Sequence, residues 1–221
     1  MTTEVHFPNE TPEYRVARGE LLDAERDLRR RTEEVAALRR RLPLGGRVPE
    51  DYVFDDVGGK VRLSELFAPG HDALVLYSFM YGPAMARPCP MCTSFLDGLD
   101  GQAHHITQRV SLAVTARSPL ARVRAFGEER GWRRLRLLSD ADTDYHRTYH
   151  GETPAGGQLP MLNVFAKRDG AVHHFWGSEL LHAEDEPGQN ARHIDPMWAL
   201  WNVLDVTPGG RGEKFFPKLA Y

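Results

Sequence analysis

The chain is poor in cysteine, with two in 221 residues, at positions 89 and 92. Two thiols that close together cannot staple distant loops. That excludes a disulfide scaffold and leaves redox chemistry or metal binding as the role of the pair. Long apolar runs are missing as well, for nothing approaches the roughly 18 apolar residues of a membrane helix. The opening Met1-Thr2-Thr3-Glu4-Val5-His6 has no basic stretch followed by an apolar one, so it does not read as a secretory signal. A cytoplasmic location without a membrane partner is expected. Positive charge is not in excess either: 28 Lys and Arg face 31 Asp and Glu, a net charge of -3. No general field exists to hold nucleic acid. Internal repeats and low-complexity blocks are also absent.

What remains is the composition of a soluble globular protein, 41% hydrophobic and 27% charged. Its length suits one core with an appendage. From Thr11 to Leu42 the chain is a dense mixture of Arg, Glu, Asp, Leu and Ala with no proline after Pro12, which predicts a long helix. Tyr14, Leu21, Leu28, Val35 and Leu42 recur every seventh position, with Ala17, Ala24 and Leu38 three further on and Arg31 interrupting the seam. Such a helix either packs along its own domain or pairs with a second copy. At 1.5 Å per residue the seam is about 40 Å long, more than a compact domain of this size is wide, which favours a homodimer through the N-terminal helix. Pro43 and Gly45-Gly46 end the arm, giving expected units of 1–46 and 47–221.

Beyond the arm, short strands and helices alternate. Residues 52–56 and 60–63 flank Gly58-Gly59 as a hairpin, and 73–80 is an apolar run suited to a buried central strand. Residues 93–108 read as a helix, 110–115 as a strand, and 135–138 as another. Between these two strands Ser118 is placed as the N-cap of a helix running to Gly131, with Pro119 just inside its start. Residues 161–166 and 171–176 form a second hairpin around Arg168-Asp169-Gly170. A last helix spans about 196–204. The expected fold class is α/β with a mixed sheet.

The motif Cys89-Pro90-Met91-Cys92 falls between a buried strand and a helix. A helix N-terminus presents free N–H groups and partial positive charge, which favours a thiolate at Cys89. Arg87 is placed to lower its pKa further. Cys92, one turn on, lies on the same face, where it can resolve a mixed disulfide formed by Cys89. Half of a zinc site is the competing reading, although no second CxxC completes it.

Strand, CPxC and helix, followed by a proline before a later hairpin, resembles the thioredoxin superfamily, and the proline-first dipeptide is similar to that of glutaredoxins. Asp51-Tyr52-Val53-Phe54, Phe79-Met80-Tyr81-Gly82-Pro83, Cys89-Pro90-Met91-Cys92, Phe95-Leu96-Asp97-Gly98 and Pro160-Met161-Leu162 resemble a bacterial thioredoxin-like family known as domain of unknown function 899. The resemblance implies a thioredoxin-like fold, a central mixed sheet flanked by helices, carrying a long N-terminal helical arm. It implies that Leu159-Pro160 matches the cis-proline beside the dithiol, and that Pro90, Met91 and Leu159 meet the substrate. Peroxiredoxin-like proteins carry Thr or Ser three residues before the peroxidatic cysteine. Here that residue is Ala86, so peroxidase activity is not implied. Glutaredoxins lack the arm, so deglutathionylation is not implied either.

Ten histidines exceed what a dithiol needs. In His173-His174, on the second strand of the hairpin, only one ring can face the cysteines because side chains alternate. Thioredoxin-like copper proteins of the Sco type resemble this layout, and two thiolates with an imidazole suit Cu(I). His146 and His150 would share a helix face, with Asp142 and Asp144 nearby. His182, Glu184, Asp185, His193 and Asp195 form a polar loop able to cover the site.

The first reading is a thiol-disulfide oxidoreductase that needs no cofactor. In it Cys89 attacks a disulfide or oxidised sulfur in a thiol or disulfide substrate, protein or small molecule, Cys92 resolves the intermediate, and Pro160 shapes the groove. The alternative is a copper or other metal site built from Cys89, Cys92 and His174 or His173.

Overall fold

The computed structural model describes residues 5–184, 187, 194–212 and 214–221. Two compact units are present, Met1–Pro43 and Leu44–Tyr221. The first is helix α1 (Pro12–Arg40), none of whose residues is buried. Its start is fixed by Thr11, whose hydroxyl accepts the Tyr14 N–H at 3.2 Å, and by Pro12 in the first turn. Arg39 and Arg40 sit in the last turn, where the helix dipole favours cations.

The second unit holds a seven-stranded sheet of β1 (Val53–Asp56), β2 (Gly59–Arg62), β3 (Ala73–Ser78), β4 (Ser111–Ala116), β5 (Leu137–Ser139), β6 (Met161–Arg168) and β7 (Ala171–Gly177). The spatial order is β2-β1-β5-β4-β3-β6-β7. Strands β3, β4 and β5 run parallel, while β6 pairs antiparallel with β3 and β7 antiparallel with β6. Helices α2 (Pro90–Ile106) and α3 (Leu120–Arg130) make the crossovers between the parallel strands. A β3-α2-β4 unit joined to the β6-β7 hairpin in this order is the core of the thioredoxin-like fold.

All six residues of β4 are buried, as expected for a parallel strand covered on both faces. Alternation on β3 divides the core. Tyr77 faces α2, its ring packing at 5.1 Å on Phe95, in the cluster that also holds Cys92, Leu96, Val123 and Phe126. Leu74 and Leu76 face the other way, toward Phe54, Tyr145, Tyr149 and Phe165. Asp100 of α2 locks the approach to β5, because one carboxylate oxygen accepts the backbone N–H groups of Arg133, Arg134 and Leu135 at 2.8–3.0 Å. The β6-β7 hairpin closes through Asp169 and Gly170 at φ +50° and +77°, the left-handed pair that suits the strand twist.

Three local expectations are corrected. Ser118 does not cap α3. It is buried, its hydroxyl donates to Gly82 O at 3.0 Å and its N–H to Tyr81 O at 2.8 Å, so it anchors the loop before the cysteines while Pro119 takes the cap position. His146 and His150 share no helix face. The helix there, α4 (Tyr145–Thr148), is a single turn, and His150 lies beyond it at φ +57°. The last helical segment is split into a 3-10 turn at Asp195–Met197 and α5 (Ala199–Asp205). Among the described residues no helix is long and apolar enough to cross a membrane.

Candidate active site

Strand β3 delivers the chain to Phe79 and Met80, and a loop returns it to Cys89 at the head of α2. Arg122 holds that loop by donating to Pro83 O at 3.0 Å and Met85 O at 2.6 Å while its guanidinium lies over the Tyr81 ring. Cys89 is the N-cap of α2 with Pro90 just inside. Its N–H donates to Met80 O at 3.1 Å, and its carbonyl accepts the Thr93 N–H at 3.0 Å and the Thr93 hydroxyl at 2.9 Å. The backbone at the nucleophile is therefore fixed on both sides.

The two thiols occupy contrasting environments. Cys89 is half-buried and Cys92 is fully buried. The thiol of Cys92 donates a hydrogen bond to Cys89, and the backbone N–H groups of Cys92 and Met91 point at the same sulfur. Together they outweigh burial and bring the Cys89 pKa down from the ordinary 9.0 to about 6. Burial, followed by the proximity of Cys89, pushes the Cys92 thiol well up. The arrangement is an exposed-side thiolate backed by a protonated thiol, the pair that attack and resolution require.

Arg87 plays no part in this. Its guanidinium is engaged with both carboxylate oxygens of Glu129 on α3, one contact at 2.8 Å, and lies over the Phe126 ring. The Leu159-Pro160 bond is not the expected cis bond, since no peptide bond among the described residues is cis. The Leu159 N–H is taken by Gly151 O at 2.8 Å as the chain enters β6 extended. Pro90, Met91, Leu159 and Pro160 are all half-buried.

The histidines do not join the cysteines. His174 stands on the face of the sheet opposite Cys92, stacked on Tyr149, edge-on to Phe165 and bonded through Nε2 to Asn163 Oδ1 at 3.0 Å. Burial pulls its pKa down. His173 is turned to the Gly45 carbonyl at 3.2 Å. His146 is completely buried against Asp140. His150, His174 and His182 instead line a groove of about 950 Å³ with Asn163 and Glu179, to which neither cysteine contributes. Among the described residues, no three His, Cys, Asp or Glu side chains are placed to hold a metal ion. Of the expected covering loop, Asp185 and His193 lie outside the described residues, Glu184 is exposed, and Asp195 pairs with Arg211 at 2.5 Å.

Sequence reasoning missed one neighbour of the dithiol, Tyr77, whose hydroxyl is bonded to Cys92. A phenol near the end of a largely apolar central strand was the available signal, because a buried tyrosine oxygen needs a partner.

A sequence model described as "bacterial protein of unknown function (DUF899)" matches residues 4–220, nearly the whole chain. The chain belongs to the DUF899 family. No curated protein matches this DUF899 chain. Among solved structures it is similar to Xanthomonas campestris peroxiredoxin Q, at 16% identity and a TM-score of 0.47, over 74% of this chain and 97% of that one. Plasmodium yoelii thioredoxin peroxidase I is similar at 17% identity and a TM-score of 0.44, over 78% of this chain and all (100%) of that one. A peroxiredoxin-like protein from Aquifex aeolicus is similar at 17% identity and a TM-score of 0.42, over 62% and 75% of the two chains.

Proposed function

We propose that this DUF899 protein is a cytoplasmic thiol-disulfide oxidoreductase that works as a homodimer through its N-terminal helix. The observation that carries the chemical reading is the hydrogen bond from the buried Cys92 thiol to the Cys89 sulfur at the N-terminus of α2. Cys89 thiolate attacks one sulfur of a substrate disulfide, RS–SR′. The bond between Cys89 and RS forms, and R′S⁻ departs and takes a proton from water. Cys92 then loses its proton to water and attacks Cys89, closing the Cys89–Cys92 disulfide, and the released RS⁻ takes a proton from water. The protein is oxidised by two electrons and the substrate reduced by two. Pro90, Met91, Leu159 and Pro160, all half-buried, are the surface offered to the substrate.

The copper alternative is less well supported, since His174 packs on Tyr149 and Phe165 and His173 is turned to Gly45. A peroxidase is less well served, because Ala86 supplies no hydroxyl three residues before Cys89. The test is reaction of the reduced protein with a small aromatic disulfide, dithiobis-nitrobenzoate. Two thionitrobenzoates released per chain with closure of Cys89–Cys92 support the reading. Stable adducts on both cysteines reject it.

A further inference from the structure

The resolving step poses a problem that the nucleophile does not. Cys92 is 3% exposed and lies among Tyr77, Phe95 and Trp198, surroundings that oppose a charged sulfur. While Cys89 is a thiolate, the Cys92 S–H has a charged acceptor. Once Cys89 is tied up in a mixed disulfide that acceptor is gone, and Cys92 must itself become the thiolate inside the core.

Two donors face its sulfur, the Met80 backbone N–H and the Tyr77 hydroxyl. Tyr77 reaches it from β3, and its ring packs at 5.1 Å on Phe95, one turn beyond Cys92 on α2. The side chain is 1% exposed, so its hydroxyl has no route to bulk water. We propose that Tyr77 is the positioning residue of the resolving step, donating its hydroxyl hydrogen bond to the Cys92 sulfur so that the attacking thiolate is held and stabilised beneath Cys89. This rests on the dithiol reading above. Burial pushes the Tyr77 phenol well up, so it keeps its proton and acts as a donor. The Cys92 proton passes to solvent water before the attack, the second thiolate departs as the disulfide closes, and Tyr77 is neither oxidised nor deprotonated. The ionisable groups acting on Cys92 are Cys89 from its own helix and Tyr77 from β3.

Dithiobis-nitrobenzoate separates the two steps in a stopped-flow trace, since the first thionitrobenzoate reports attack by Cys89 and the second reports attack by Cys92. In Tyr77→Phe the first release keeps its rate, and the second slows about ten- to a hundredfold, the range for losing a hydrogen bond to a charged group. Its pH midpoint also moves up. Phe95→Leu loosens the same packing without touching the hydroxyl and leaves that midpoint in place. Fluorotyrosine incorporated into the unmutated chain strengthens the donor and speeds the second release alone, a test that does not depend on how Tyr77→Phe folds. Unchanged second-phase rates and midpoints in Tyr77→Phe, or in the fluorotyrosine protein, overturn the role of Tyr77 and leave the dithiol reading intact. Absence of a second release in the unmutated protein overturns the dithiol reading itself.

Discussion

Alkylation of Cys89 by a neutral reagent such as iodoacetamide should follow a pH profile unlike that of an ordinary thiol. The structure lowers its pKa from 9.0 to about 6, chiefly through the hydrogen bond from Cys92 and then the backbone N–H groups of Cys92 and Met91. At pH 7 such a group is about 90% thiolate against about 1% for an ordinary thiol, a gain of about ninetyfold in reactive form. A thiolate of lower pKa is also a weaker nucleophile. With a Brønsted slope of about 0.45, three units cost about twentyfold per thiolate. Cys89 should therefore react about three- to sixfold faster than a free peptide thiol at pH 7 and about twentyfold faster at pH 6. It should become the slower of the two above about pH 8, where the reference thiol ionises. The assay is the rate of mass gain on the Cys89 peptide across this range, with cysteine peptide as the internal reference. Cys92, buried and protonated, should lag throughout. A Cys89 profile rising through pH 8–9 in parallel with the reference, without a crossing, would refute the thiolate assignment.

Three further outcomes follow from contacts away from the sulfurs. Asp100→Ala removes the shared acceptor of three backbone N–H groups in a partly exposed turn and should cost about 1–3 kcal/mol of stability by chemical denaturation, with Asp100→Asn costing less; an unchanged midpoint contradicts the assigned lock. Gly151→Ala would set a Cβ 2.5 Å from His146 Cδ2 and 3.0 Å from Ser78 Oγ in a closed interior, so its melting temperature should fall, with a cost of about 1–3 kcal/mol. For the arm, light scattering should find the full chain dimeric at micromolar concentration, and Leu21→Lys with Leu28→Lys should convert it to a monomer. A monomeric unmutated chain removes the dimer.

Much of the site was legible because its signals are local. An apolar run ending in CPxC, with proline at the first helical position, can hardly be anything but a strand-to-helix junction. Asp169-Gly170 likewise specifies its own turn. What could not be read is set by partners distant in sequence. Arg87 was expected to serve Cys89, but Glu129, forty-two positions away, takes its guanidinium. The offer of His174 or His173 to the cysteines rests on the Sco-type likeness, with alternation leaving open which ring faces them. On β7, Phe165 pairs with His174 and Val164 with Trp176, a bulge at Phe175 that no hydrophobic pattern announces. Tyr77 stands unmarked within the apolar run 73–80, and only the packing of α2 on β3 shows what its hydroxyl touches.

The central claim is that Cys89 and Cys92 act as one redox unit, and intact-mass and peptide mapping after treatment with dithiobis-nitrobenzoate tests it most directly. The account predicts a Cys89–Cys92 disulfide in the unmutated protein, a single stable thionitrobenzoate adduct on Cys89 in Cys92→Ser, and no rapid reaction in Cys89→Ser. A stable adduct retained on Cys89 in the unmutated protein, with Cys92 still free, would contradict it.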